Sequence, residues 1–412
     1  MLGQASFLCG LVSAVLGVTP LAKDEPKVTW PKPSVLASTT SGHATLAAAT
    51  DKRQEATTAI ACDHAEFGLA PYVWKRTGAG RTARAEATMP GAYFKAVFRD
   101  SKTVGLIVDG TANNGCPVSS MPVVEFCVDD GPIKIVALAR TTEIYAIPLG
   151  DHLETTAQHR LDVCFRAADL TQNRWSASTS HLRIAGLVLD HGGSLLPCPR
   201  CPKRAIGFGD SITEGVGVDG LFTSWQSLGV NNARAAWFPI VCAALDCEYG
   251  QLGSGGQAMV RPIELPPLPK TWDRYDATTS RLANGLLLPE PDYIFCCMGT
   301  NDFDPRTRLP LDITAEYTQW LIAMRKACPH AQVFCVVPPL GWHRAEVKAA
   351  VAARNKADDA KVHLIDTAPL QDGFRASGAS RLAYDGVHPT VYGNALLGAL
   401  IAVETQEILD TN

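Results

Sequence analysis

The chain has 412 residues, of which 46% are hydrophobic and 19% are charged, and its formal net charge is −4. This length predicts two or three domains with a substantial buried core. With 37 basic and 41 acidic residues there is no basic surplus, so neither nucleic acid nor an anionic membrane surface is an expected partner. No apolar segment reaches the roughly 18 residues that a membrane-spanning helix needs.

The N-terminus has the composition of a secretory signal peptide. An apolar stretch over residues 5–18 is followed by Pro-Leu-Ala at 20–22 and then by charged residues. This pattern predicts a signal peptide over residues 1–22 and export of the protein, although no positive residue precedes the apolar stretch. An apolar N-terminal tail of another role is the alternative. Residues 23–61 are rich in Thr, Ala, Ser and Pro, and we expect a leader or linker there.

Region 62–197 has the pattern of β-strands. Seven short apolar and β-branched runs follow one another, and Asp-Gly, Gly-Pro or Gly-Asp turn signals separate several of them. The runs are YFKAVF, TVGLIVDG, VVEFCVDDGP, IKIVALA, EIYAIPL, HRLDVCFRA and HLRIAGLVLD. Asp129-Asp130-Gly131 predicts a hairpin turn. Strands at this spacing, with no helical pattern between them, predict an antiparallel β-sandwich.

Strands and helices alternate in region 198–412. The predicted strands are Arg204–Phe208, a segment ending near Leu252, PDYIFCCMG, AQVFCVVPP and KVHLIDTA, and the predicted helices are 233–245, 313–328 and a last one from Val391. Such alternation predicts a parallel, doubly wound α/β domain. Ligands of these sheets bind at the carboxyl ends of the strands.

The thirteen cysteines do not settle the cellular compartment. Cys198 and Cys201 form C-P-R-C between the two expected domains, which suits a disulfide staple, a pair of free thiols, or a metal or redox motif. Zinc would need a second ligand pair at matching spacing, and none is evident. Cys296 and Cys297 lie in a predicted core strand, where we expect them to be buried as small apolar side chains.

Four short polar segments stand where the predicted sheet would present its site. They are Gly209-Asp210-Ser211, Gly253–Gln257, Gly299–Asp302 and Asp385–Pro389. Taken singly, each has an ordinary structural explanation as a helix cap, a turn or a loop.

Together the four segments contain the groups that acyl transfer needs. The Ser211 hydroxyl is a weak nucleophile until a base removes its proton, and the His388 imidazole is a suitable base. Asp385 stands three residues before His388, so a turn can bring its carboxylate to the other imidazole nitrogen. The Asn301 amide and the backbone N–H groups of Ser211 and Gly255 can surround an oxyanion. Nothing in this set requires a metal or a cofactor.

Other motifs with a nucleophile or a phosphate loop do not fit. Ser211 is followed by Ile212-Thr213, so the second glycine of a G-x-S-x-G elbow is missing. There is no G-x-x-x-x-G-K, and residues 253–256 lack the spacing of G-x-G-x-x-G.

At these residues the chain resembles the SGNH hydrolases, the GDSL-type esterase/lipase superfamily. The blocks G-D-S, Gly255, G-T-N-D and D-G-V-H-P occur in the expected order, and the resemblance extends from about Arg204 to the C-terminus. It implies a three-layer α/β/α, flavodoxin-like domain in which Ser211, Asp385 and His388 form a triad. The implied oxyanion donors are Ser211, Gly255 and Asn301. Because the second block reads L-G-S-G-G-Q, Gly253 is an alternative to Gly255.

The jelly-roll-like sandwich that precedes the G-D-S strand resembles the two-domain carbohydrate esterases of family 2, which act on O-acetyl groups of plant polysaccharides. Members of that family commonly carry D-W-H-P, whereas Asp385 stands three residues before His388. The resemblance implies a serine esterase that removes small acyl groups, chiefly acetyl, from carbohydrate. A lipase or thioesterase using the same site is one alternative. A carbohydrate-binding protein with a vestigial hydrolase domain is another.

Five further residues near these motifs have weaker assignments. Trp225 and Trp342 suit either packing or stacking on a sugar ring, and His343 suits either a structural role or the wall of a pocket. Asp302 is expected to brace its loop and Asp210 to hold the turn that carries the nucleophile.

Overall fold

Two antiparallel sheets form the first part of the structure. The computed structural model describes residues 57–176, 178–224, 228–260, 265–375 and 381–411. The expected signal peptide and most of the expected leader lie outside these residues. The twelve strands of the two sheets are β1 (Thr57–Ala61), β2 (Gly68–Leu69), β3 (Lys75–Thr77), β4 (Arg84–Ala87), β5 (Tyr93–Arg99), β6 (Val104–Asp109), β7 (Val123–Val128), β8 (Lys134–Ala137), β9 (Ile144–Gly150), β10 (His159–Ala167), β11 (Leu182–Asp190) and β12 (Ser194–Leu196).

The two sheets make the predicted sandwich. One has the order β3-β4-β11-β6-β9 with β1 also on β11, and the other has the order β12-β5-β10-β7-β8 with β2 also on β5. Alternate side chains of β11, such as Leu182 and Ile184, are buried, and they share one hydrophobic core with Phe94 and Val163 of the facing sheet. This alternation is what an antiparallel sheet with one buried face requires.

The seven predicted strand runs correspond to β5 through β11 in chain order. The predicted hairpin joins β7 to β8, and Asp129 and Asp130 both adopt positive φ there, as a tight two-residue turn demands. The five short strands β1–β4 and β12 were not predicted. Strand β1 lies inside the range expected to be leader, and that expectation was wrong for its five residues. Only Ile60 of this Thr-rich strand is buried, so periodicity gave no signal, and pairing with β11 decides its structure.

A five-stranded parallel sheet follows. Its strands are β13 (Lys203–Gly209), β14 (Cys247–Gly253), β15 (Tyr293–Cys297), β16 (Gln332–Val336) and β17 (Val362–Ile365). Their order in the sheet is β14-β13-β15-β16-β17, and each neighbouring pair is parallel. Because β14 lies on one side of β13 and β15 on the other, the strand order reverses between β13 and β15. Ligand sites of doubly wound sheets form at such a topological switch point.

Helices cover both faces of this sheet. The α-helices of the described residues are α1 (Ser211–Glu214), α2 (Trp237–Ala244), α3 (Leu268–Thr271), α4 (Thr314–Ala327), α5 (Arg344–Lys356), α6 (Gln371–Arg375) and α7 (Val391–Thr411). On one face Phe238 of α2 and Leu397 of α7 pack with Phe295. On the other face Trp320 of α4 and Val347 of α5 share a core with Ile206 and Phe208. The predicted three-layer α/β/α arrangement is therefore confirmed.

Helix α5 was not predicted, although its sequence carried the signal. Its buried residues Val347, Ala350 and Val351 follow the three- and four-residue spacing of an amphipathic helix. The predicted helices over 313–328 and from Val391 agree with α4 and α7, and the one predicted over 233–245 begins later, at Trp237. Within the described ranges, no helix combines the length and the apolar character needed to cross a membrane.

The sandwich and the parallel sheet are joined by buried polar contacts. The Tyr93 hydroxyl donates to the carboxylate of Glu248 at the start of β14, and the Tyr275 hydroxyl donates to the Glu86 carbonyl at 2.6 Å. Cys198 and Cys201, in the connection between the two parts, are free, partly buried thiols. Cys296 and Cys297 are fully buried in β15, as expected.

We predict that Gly207→Ala lowers the free energy of unfolding by about 1–3 kcal/mol, because core overpacking has this cost. A Cβ atom at Gly207 in β13 would lie 2.6–2.8 Å from atoms of the Phe238 ring. Chemical denaturation measures the change. Gly229→Ala is the matched control, since a Cβ there meets nothing within 4 Å. Equal stability of the two variants would contradict the prediction.

Candidate active site

Ser211 stands at the carboxyl end of β13, the second strand of the five-stranded sheet. Strand β13 ends at Gly209, Asp210 caps the short helix α1 by accepting the Ile212 N–H at 3.0 Å, and Ser211 is the first helical residue. Burial raises the pKa of the Asp210 carboxyl to about 6, against the opposing effect of its hydrogen bond with Ile212. The helix ends after one turn at Gly215, which has φ 85°. Asp210 is thus the capping residue, and the Ser211 hydroxyl is left to make other contacts.

The Ser211, His388 and Asp385 side chains form a continuous chain of hydrogen bonds. Ser211 Oγ lies 2.9 Å from His388 Nε2, and His388 Nδ1 lies 2.6 Å from Asp385 Oδ2. The other carboxylate oxygen, Oδ1, accepts the N–H groups of Val387 at 2.9 Å and His388 at 2.7 Å. The three-residue spacing therefore lets one turn hold both the carboxylate and the imidazole.

The Asp385 carboxyl is stabilised in its ionised form. Burial alone would raise its pKa, but hydrogen bonds from the His388 ring and from the two backbone N–H groups outweigh burial and lower the pKa to about 2. The carboxylate is consequently charged at any pH near neutral. A charged acceptor at Nδ1 keeps a proton on that nitrogen and leaves Nε2 to accept a proton from Ser211.

Neighbouring residues limit the movement of His388. The Phe222 ring lies edge-on to the imidazole, with ring centroids 5.3 Å apart. A Cβ atom on Gly217 would lie 3.4 Å from the His388 Cβ, so the chain after α1 passes close to the histidine. Sequence reasoning missed Phe222. Its position in the loop that follows the nucleophile turn was the available signal.

Gly255 lies beside Ser211, whereas Gly253 lies within the sheet and packs against the backbone of α1. A Cβ atom on Gly255 would lie 3.7 Å from the Ser211 Cβ, whereas one on Gly253 would collide with the α1 backbone, 2.3 Å from the Glu214 nitrogen. Gly253 pairs with Gly209 in the sheet. The Gly255 N–H donates to Glu214 Oε2 at 2.7 Å, so a protein carboxylate engages this expected oxyanion donor.

The Asn301 loop is tied to the same glycine-rich segment. Asn301 Nδ2 donates to the Gln257 carbonyl at 2.9 Å. The Asp302 carboxylate accepts the Met259 N–H at 3.0 Å and the Val260 N–H at 2.8 Å. Asp302 therefore braces two loops against each other, and its contacts place Asn301 beside the segment that contains Gly255.

Of the residues with weaker assignments, His343 and Trp342 are packed against a neighbouring ring. His343 is only 4% exposed and lies against Phe303, with ring centroids 5.8 Å apart. Trp342 packs edge-on to the same Phe303 ring at 4.9 Å. Both positions agree with structural roles. Trp225 lies outside the described residues.

A loop of the sandwich reaches this site. Leu170, in the connection from β10 to β11, has a methyl carbon 2.9 Å from where a Cβ of Gly255 would lie. Arg174 of the same loop pairs with Glu214 at 2.6 Å, and both side chains are at least 98% buried. Sequence reasoning missed this pair. Glu214 carried a weak signal as an acid three residues after Ser211, but no pattern pointed to Arg174.

The described residues include no group of three or more His, Cys, Asp or Glu side chains arranged to hold a metal ion.

Comparison with known proteins finds one family model and two curated relatives that are similar to this chain. Residues 208–396 match the model of the GDSL-like lipase/acylhydrolase family. The chain is 26% identical to the cellulase/esterase CelE of Acetivibrio thermocellus over 247 aligned residues. The aligned region covers 57% of this chain and 29% of CelE. It is 24% identical to an acetylxylan esterase / glucomannan deacetylase of Cellvibrio japonicus over 222 aligned residues. The aligned region covers 51% of this chain and 57% of that protein. The chain thus spans less than two thirds of each relative's length.

The fold is shared with a solved structure over nearly the whole described chain. A family two carbohydrate esterase from Cellvibrio japonicus has a TM-score of 0.67 at 18% identity, and the match covers 86% of this chain and 98% of that one. Coverage of this extent includes the sandwich as well as the parallel sheet. The region that matches the GDSL-like lipase/acylhydrolase family model, residues 208–396, contains the serine, glycine, asparagine and histidine blocks in order.

Proposed function

We propose that this protein hydrolyses small carboxylic esters, chiefly O-acetyl groups on carbohydrate, with Ser211 as the nucleophile. The observation that carries the proposal is the hydrogen-bond chain from Ser211 Oγ through the His388 imidazole to the Asp385 carboxylate. That chain can activate a hydroxyl for attack on an ester.

The proposed reaction has two proton-balanced stages. Ser211 Oγ attacks the ester carbonyl carbon while His388 Nε2 takes the hydroxyl proton. The bond from that carbon to the alcohol oxygen then breaks, His388 returns the proton to the departing alcohol, and an acyl-serine remains. A water molecule, deprotonated by His388, attacks the acyl-serine, and the carboxylic acid leaves as Ser211 regains its proton. Asp385 stabilises the imidazolium in both stages.

The oxyanion of each tetrahedral intermediate needs hydrogen-bond donors. We assign this role to the Ser211 N–H, the Gly255 N–H and the Asn301 amide. The Ser211 N–H belongs to the first turn of α1, where backbone donors have no acceptor within the helix. The Gly255 N–H must exchange its bond to Glu214 before it can take part.

A small acyl group suits the crowding at the site. Phe222 lies against the His388 ring and Leu170 lies close to Gly255, so apolar side chains approach the reacting groups from two directions. One relative is named an acetylxylan esterase / glucomannan deacetylase, which supports acetylated carbohydrate as the substrate class. Export of the protein is part of the proposal and rests on the signal-peptide pattern of residues 1–22.

We predict that Ser211→Ala abolishes hydrolysis of p-nitrophenyl acetate, because no nucleophile remains to form the acyl-enzyme. Release of p-nitrophenolate measures the rate, and mass spectrometry of quenched wild type should show an acetyl group on Ser211. Ser101→Ala is the control, since Ser101 is a buried serine of the sandwich that donates to the Thr103 carbonyl.

Equal rates for wild type and Ser211→Ala would refute the serine esterase. Faster turnover of an octanoate than of an acetate ester would favour a lipase or thioesterase. Sugar binding without any Ser211-dependent turnover would favour a binding protein with a vestigial hydrolase domain. Acetate release from acetylated xylan tests the carbohydrate assignment.

We predict that Asn301→Ala lowers kcat by about 10²–10³-fold, the usual effect of losing one oxyanion donor, with a smaller change in KM. The same ester assay measures both constants. Asn284→Ala is the control, since the Asn284 amide donates only to a local carbonyl, that of Ser280. A loss confined to KM would instead assign Asn301 to ground-state binding.

We predict that Asp385→Asn lowers kcat by about 10²–10⁴-fold, because an amide no longer fixes the imidazole tautomer or stabilises its cation. The Asp385 pKa is lowered to about 2, so this carboxylate stays ionised down to strongly acidic pH. The acid limb of the wild-type kcat/KM profile should therefore not reflect titration of Asp385. A profile that follows an acid group between pH 3 and 4, where unperturbed aspartate titrates, would contradict the assignment.

A further inference from the structure

Glu214 is a buried carboxylate whose two oxygens have different partners. Oε2 accepts the Gly255 N–H at 2.7 Å, and Oε1 lies 2.6 Å from Arg174 Nη2. The Glu214 side chain is 2% exposed and the Arg174 side chain 1% exposed. A buried charge of this kind persists only while it is paired, so neither partner of Glu214 is incidental.

This arrangement conflicts with the role assigned to Gly255. A single N–H bonded to a carboxylate at 2.7 Å is not fully available to a second negative oxygen. The Glu214 carboxylate contacts the N–H of Gly255, which lies beside Ser211, so its negative charge opposes an oxyanion that forms at that N–H. The site therefore needs a means of drawing the carboxylate away from the N–H.

Arg174 is placed to hold the Glu214 carboxylate when the Gly255 N–H leaves it. Its guanidinium belongs to the loop between β10 and β11 of the sandwich, and the same Nη2 also donates to the Asp169 carbonyl at 3.1 Å. The guanidinium contacts Glu214 Oε1, whereas the Gly255 N–H bonds to Oε2. When the Gly255 N–H turns toward the oxyanion, Oε2 loses that hydrogen bond, but the Glu214 charge remains paired with Arg174 through Oε1.

We propose that Glu214 and Arg174 are positioning residues of the oxyanion hole. Glu214 holds the Gly255 N–H in the resting site, and Arg174 keeps the Glu214 charge paired when that N–H turns to the oxyanion. The inference rests on the proposed esterase function. It gives the sandwich a direct effect on the chemical step, because the cation comes from a sandwich loop.

The test is a double-mutant cycle on kcat and KM with p-nitrophenyl acetate. Arg174→Met leaves the carboxylate with Gly255 as its remaining partner, and we expect kcat to fall about 10–100-fold, comparable to partial loss of one oxyanion donor, while KM changes little. Glu214→Gln removes the negative charge that competes for the Gly255 N–H but keeps an acceptor there, so kcat should fall less than in Arg174→Met. The double variant Arg174→Met with Glu214→Gln should recover to within about threefold of Glu214→Gln, since the charge that Arg174 neutralises is gone.

Two outcomes would overturn the proposal. Either the double variant stays as slow as Arg174→Met, or Glu214→Gln loses activity to the same extent. If Arg174→Met does not fold, the comparison of Glu214→Gln and of the double variant with wild type still decides the question. Thermal unfolding of each variant separates loss of stability from loss of turnover.

Arg325→Met is the matched control for breaking an ion pair. Arg325 pairs with Asp359 at 3.0 Å, before the amino end of β17 and therefore at the sheet edge opposite the site. It should lower stability without lowering the kcat of the folded protein. Ser211→Ala distinguishes a failure of the proposed esterase function from a failure of the positioning role of Glu214 and Arg174. Turnover that does not depend on Ser211 refutes the proposed function, whereas Ser211-dependent turnover without rescue refutes only this inference.

Discussion

The register of β13 between its two neighbours is the constraint on which the site depends. Gly209, the last residue of β13, pairs with both Gly253 of β14 and Cys297 of β15, so the three strands end at one level of the sheet. The turn carrying Ser211 and the loops carrying Gly255 and Asn301 therefore start from one edge. Asp302 and the Ser254 N–H, which donates to the Gly209 carbonyl, then fix the loops to each other. In the proposed reaction, such bonds hold the oxyanion donors in place before the charge develops.

The histidine arrives from a distant part of the chain. His388 is 177 residues from Ser211, and it reaches the serine because α7 docks on α2. Buried Asn394 of α7 makes this docking specific, since its Oδ1 accepts the Trp237 N–H at 2.9 Å and its Nδ2 donates to the Pro389 carbonyl at 2.7 Å. The amide thus connects the helix, the α2 start and the turn next to His388. These two hydrogen bonds of the Asn394 amide hold the turn that carries His388 so that its imidazole reaches Ser211.

The sandwich is part of the same folded unit and contributes to the site. Residues from Thr57 onward form one compact unit, and buried contacts such as Tyr93 with Glu248 cross between the sandwich and the parallel sheet. These contacts fix the loop between β10 and β11 so that Leu170 and Arg174 reach Gly255 and Glu214. One wall of the candidate active site is thus built by a region that has no catalytic motif of its own.

The sequence by itself determined the fold class and the order of the main elements, because hydrophobic alternation and helical periodicity are local properties of the chain. It also singled out Ser211, Gly255, Asn301, Asp385 and His388, since nucleophile, base and amide donors have distinct side-chain chemistry and recognisable motifs. The Asp385–His388 contact was predictable because the two residues are three positions apart, and a single turn can bring their side chains together.

Only the tertiary structure decided which distant groups meet. Strand β1 has one buried residue, so its place on β11 depends on a partner more than a hundred residues away. The contact of Glu214 with Gly255 and Arg174 joins three segments whose proximity no local pattern records. Burial then sets the energetics, because a carboxylate that would be solvated in an isolated turn must find its hydrogen bond and its cation inside the folded protein.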